Sequence, residues 1–144
     1  MLKYGADTDH ISHLYHGLCA RSNALLRSFS HCNINLKSLL FRSFCTSFYC
    51  MSLVTNYDQR CFNRLRVCYN NSLRMLLGAP RLCSASGLFV SHGLPTFGEI
   101  RRKMAYGLLQ KPRQSSNSII NNIVCSGELR QSKWYQDISS YLLM

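Results

Sequence analysis

At 144 residues the chain fits one domain and can bury a core without disulfide or metal staples. Hydrophobic residues at 47% argue against disorder, and no uncharged stretch is both long and apolar enough to span a bilayer. Seventeen Lys and Arg against six Asp and Glu give a net charge of +11, which points to a polyanionic partner, nucleic acid first and an acidic membrane surface second. Between His10 and Gly98 a single acid, Asp58, stands against nine Lys and Arg.

Residues 1–9, MLKYGADTD, are short and polar and read as a truncated lead-in, with Asp7, Thr8 and Asp9 as candidate caps for the first helix. In that helix Ile11, Leu14, Tyr15, Leu18, Leu25, Leu26 and Phe29 recur at steps of three and four, the spacing of an amphipathic helix. Asn33 or Asn35 caps a second helix running to about Thr55. Leu36, Leu39, Leu40, Phe41, Phe44, Phe48, Tyr49, Met51, Leu53 and Val54 surround that helix, which predicts a position in the middle of a bundle. Its Phe, Tyr, Thr and Val also suit β structure, but the length without Gly or Pro favours helix. Asn56 and Tyr57 make the next turn.

Residues 58–86 organise the rest. Phe62, Leu65, Tyr69, Leu73 and Leu76 fall on one face of a helix, while Arg60, Arg64, Asn71 and Arg74 cluster within about 40° of the opposite face. Gly78 can stop the helix in a left-handed conformation, and Pro80 prevents its resumption. Arg81 comes next, and Ser84 is a candidate cap for a short helix over 84–92 that ends at Gly93. Thr96 and Glu99 spell a capping box for a helix whose apolar face is Phe97, Ile100, Met104 and Leu108. Arg102 and Tyr106, four apart, share a face, and Pro112 closes this helix. RQSSNS (113–118) reads as a linker, and residues 119–124 and 129–143 suggest further helices.

Several chemistries lack their residues. His10, His13, His16 and Cys19 step by three along the first helix, which spreads them over half its surface, and no carboxylate is spaced to complete a metal site. No metal or cofactor is therefore expected. The only close acid pair, Asp7 and Asp9, sits where a helix start favours acids, and two-metal phosphoryl transfer needs more. There is no Walker loop, and no Cys–His pair stands out as nucleophile and base. Eight cysteines without a CxxC, and without a secretory leader, predict reduced thiols in the cytosol or nucleus. The expectation is a non-enzymatic all-α bundle of five to six helices.

The arginine stripe is the strongest functional signal. Solvated helix faces are often rich in Lys or Arg, but they usually carry Glu as well, whereas this face has no acid beyond Asp58 at its start. Arginine also suits bidentate phosphate contacts better than lysine does. Arg60, Arg64, Arg74 and Arg81 are the leading candidates for nucleic-acid contact, with Arg102 and Tyr106 as a second edge.

The runs FRSFCTSFY, LRMLLGAPRLCSAS and HGLPTFGEIRRKMAYG carry a family likeness. Over residues 10–125 the chain resembles the segment C-terminal to the polymerase palm in LINE-type, non-LTR retrotransposon reverse transcriptases. The resemblance implies a thumb-like helical domain over 10–112, followed by a linker and further helices over 113–144. In that family the thumb grips a template–primer duplex behind the active site. The palm's paired aspartates are absent, so no catalytic residue carries over. Ser47 stands where the family tends to have Pro and Val54 where it tends to have Trp, while KYG is a shortened echo of the strand that leads into this segment. The implied partners are an RNA–DNA or other duplex, with the missing palm or a second copy as the rival.

Overall fold

The computed structural model describes residues 4–49, 51 and 59–143. Among them are eight helices and no strand: α1 (Tyr4–Phe29), α2 (Ile34–Cys45), α3 (Gln59–Leu77), α4 (Ala85–Ser91), α5 (Phe97–Arg113), α6 (Ser118–Cys125), α7 (Glu128–Gln131) and α8 (Lys133–Leu143). The all-α class follows from the three- and four-residue apolar spacing, and the helix number exceeds the expected five to six. The chain falls into two compact units, residues 1–49 with 57–97, and residues 50–56 with 98–144. The second begins inside what the sequence reads as one segment over 10–112.

In the first unit α3 packs along α1 and also touches α2 and α4. The buried side of α1 is Ile11, Leu14, Leu18 and Leu25, and that of α3 is Phe62, Leu65, Tyr69, Leu73 and Leu76, as their spacing predicts. Tyr69 is the hub. Its ring stacks on Phe89 of α4 at 5.2 Å between centroids and meets Phe41, Phe48 and Phe97 at 5.2, 5.9 and 6.0 Å. Its hydroxyl donates to the Pro95 carbonyl at 2.9 Å, so the polar tip stays satisfied in an apolar centre.

Three expectations about helix ends need correction. α1 starts at Tyr4, within the stretch read as a lead-in, so Tyr4 and Gly5 of KYG are helical. Acids at Asp7 and Asp9 suit a helix's first turns, and no proline interrupts the run. α2 is capped by Asn33, whose Oδ1 accepts from the Leu36 amide at 2.8 Å, but it ends at Cys45 and not near Thr55. Thr46 Oγ1 bonds back to the Arg42 carbonyl at 2.6 Å, and leaving the helix lets Phe48 reach the Tyr69 cluster. Residues 52–55, the turn at Asn56 and Tyr57, Cys50 and Asp58 lie outside the described residues. Pro112 does not close α5 but sits in its last turn, where it removes a single ladder bond.

Nor is α2 surrounded by protein. Ser38, Phe41 and Cys45 are buried, whereas Ile34, Leu36, Leu39 and Phe44 are exposed, as is Tyr49 just beyond the helix. One face of a 12-residue helix satisfies the core, and the other apolar face is left to solvent.

α3 stops as its glycine predicts. Gly78 has φ of 68°, its amide donates to the Met75 carbonyl, and the Ala79 amide donates to the Arg74 carbonyl at 2.9 Å. This paired closure satisfies carbonyls that the helix end would otherwise orphan. Ser84 occupies the N-cap position of α4, although its hydroxyl bonds Ser86 and not a helix amide.

In the second unit Ala105, Leu109 and Ile138 form a small core with Leu108, Tyr135 and Leu142 against it. The linker expected over 113–118 is shorter, because α5 runs through Arg113 and α6 begins at Ser118, capped by Asn117, which accepts from the Ile119 amide at 2.9 Å. The helix expected over 129–143 is split at Ser132, whose extended backbone separates α7 from α8.

Candidate nucleic-acid interface

The burial of one side of α3 fixes where its other side points. With Phe62, Leu65, Tyr69, Leu73 and Leu76 locked into the first unit, Arg60, Arg64 and Asn71 are exposed on the outer face. Arg66 is exposed as well, a cation the stripe does not include because it projects to one side. No acid lies between residues 59 and 77. The outer face is not wholly polar, since Val67 and Met75 are also about half exposed on it.

The arginines differ in how they are held. The Arg64 guanidinium lies over the Tyr15 ring of α1, 4.6 Å from its centroid, and His16 meets the same ring edge-on at 5.5 Å. This cation–π contact orients Arg64 while leaving it at the surface. Arg74 is half-buried and engaged: Nε donates to the Cys83 carbonyl and Nη1 to Asn71 Oδ1, both at 2.9 Å. It ties the turn after Gly78 back onto α3, which makes its first role structural. Arg81 is exposed in that turn.

Arg102 and Tyr106 are both exposed on α5, with Lys103 exposed beside Arg102. They belong to the second unit, whereas Arg60, Arg64, Arg74 and Arg81 belong to the first.

Other chemistry is sparse. Among the described residues no three His, Cys, Asp or Glu side chains converge as metal ligands. His13 and His16 face solvent, and Cys19 turns instead toward Cys68 of α3, with their sulfurs 3.4 Å apart. Burial pushes the Cys68 thiol up to about 12, helped by its bond to Cys19, and pushes Cys45 up to about 11 against the pull of Arg21. Both therefore stay protonated at neutral pH, unlike activated nucleophiles.

Compared with known protein families, curated proteins and solved structures, the chain matches none. No described helix is long and apolar enough to cross a membrane.

Proposed function

We propose that this chain is a non-catalytic, thumb-like segment of LINE-type reverse transcriptase origin that holds the backbone of an RNA–DNA or other duplex without reading its sequence. The observation that carries this reading is the outer face of α3, where Arg60 and Arg64 stand exposed with no acid along the helix. Guanidinium groups contact phosphates bidentately, and phosphate contacts fix position without specifying bases. Such contacts suit a surface that must slide along a duplex. Arg81 extends the face and Arg74 braces it, while Arg102 and Tyr106, exposed on α5 of the second unit, are separate candidate contacts. The reading places the chain in the cytosol or nucleus, with no cofactor and no reaction of its own.

A second reading is favoured by α2. Its exposed Ile34, Leu36, Leu39 and Phe44 are what a helical interaction module would present to another polypeptide, either a polymerase palm or a second copy.

One experiment separates them. Duplex binding is measured for wild type and for the Arg60→Ala, Arg64→Ala double variant, alongside sedimentation over a range of protein concentrations. The first reading expects at least a tenfold loss of affinity in the double variant, with a monomer throughout. Unchanged binding would refute it, and self-association relieved by Leu39→Asp would establish the second.

A further inference from the structure

The structure brings together two thiols that the duplex-binding reading does not use. Cys19 projects from α1 and Cys68 from α3, 49 residues apart in sequence, and their Sγ atoms lie 3.4 Å from each other. Both are half-buried and both are free thiols. Disulfide formation requires the sulfurs to close by about 1.4 Å, and the helices that carry them are already in contact. We propose that Cys19 and Cys68 form an oxidation site at which a peroxide installs a covalent crosslink between α1 and α3.

The chemistry balances. The Cys19 thiolate attacks hydrogen peroxide, breaking the O–O bond to give a sulfenic acid and hydroxide. The Cys68 thiolate then attacks that sulfur, forming the S–S bond and expelling the second hydroxide. The protons released by the two thiols convert both hydroxides to water. Two electrons pass from the thiols to the peroxide, and the net products are one disulfide and two waters.

Hydrogen peroxide is small and uncharged, which suits a half-buried target. Burial keeps Cys68 protonated at neutral pH, so attack is slow by that measure. Fixed proximity works the other way, because a neighbour held at contact distance acts as a very high local concentration. A sulfenic acid on Cys19 therefore meets Cys68 before it meets a thiol in solution. Cys45 is the competing neighbour, close enough for its charge to bear on Cys68, but it is fully buried near the end of α2.

The crosslink would join the two helices that set Arg64 over Tyr15. It would also close a long loop, which restricts the unfolded chain and raises the melting temperature by roughly 5–10 °C.

The test is to treat the full chain with hydrogen peroxide, alkylate the remaining thiols under denaturing conditions, and map the products by mass spectrometry. The exposed Cys125 reports that the oxidant has acted. The expected product is a Cys19–Cys68 linked peptide pair two hydrogens lighter than its parts. The crosslink and the rise in melting temperature should survive Cys45→Ser and be lost in Cys68→Ser. Full alkylation of Cys19 and Cys68 after Cys125 has been oxidised would overturn the proposal, as would pairing of either with Cys45. Peptide mapping of wild type alone decides this, so a variant that fails to fold does not obscure the answer. Nucleic-acid binding does not enter the readout, which keeps failure here distinct from failure of the proposed function.

Discussion

Tyr69 shows how one side chain can fix the meeting of several segments. Four phenylalanines, from α2, the chain after it, α4 and the start of α5, surround its ring, and its hydroxyl bonds the Pro95 carbonyl. Tyr69→Phe keeps the rings and removes that bond, so it should lower unfolding free energy by about 1 kcal/mol in denaturant melts. Tyr69→Ala should cost about 3–5 kcal/mol by opening a cavity. Spacing alone puts Tyr69 on the buried face of α3, but its partners come from segments distant in sequence and were not legible there. The buried thiols make a separate prediction. Cys45 and Cys68 are raised from 9.0 to about 11 and about 12, so the folded chain keeps protons that the unfolded chain releases above pH 9. Their contribution is full below pH 9 and is lost as pH rises through 11 to 12. Melting temperatures should therefore fall between pH 9 and 11, and Cys45→Ala should flatten part of that decline.

At the scale of the elements, α1 and α3 were legible because each has one buried face, and a helix with one buried face writes that face into its spacing. The sequence misleads at α2, because apolar residues on every side look the same whether a neighbour covers them or not. Its end was hidden for a related reason, since Thr46 and Phe48 suit a helix until the Tyr69 cluster offers Phe48 a better place. The stripe on α3 divides similarly. Outward placement of Arg60 and Arg64 follows from the period, whereas the Arg74 bond to Cys83 exists only because the chain doubles back after Gly78. Arg74→Ala should thus destabilise the fold by about 1 kcal/mol, while Arg81→Ala, at an exposed position in the turn, should leave the melting temperature within about a degree. Differential scanning of the two variants distinguishes a brace from a surface cation.

For the whole molecule, charge and apolar exposure pull toward different partners. A net +11 on 144 residues favours a polyanion, and the open side of α2 favours another protein surface. The central claim is that α3 grips a phosphate backbone through guanidinium groups, and ionic strength interrogates it most directly. Each phosphate contact releases condensed counterions, so three to four contacts predict a slope of roughly −3 to −4 for log Kobs against log salt on an RNA–DNA duplex. Changing Arg60 and Arg64 together to Ala should make that slope shallower by about 2. A flat salt response in the wild-type chain would contradict the account.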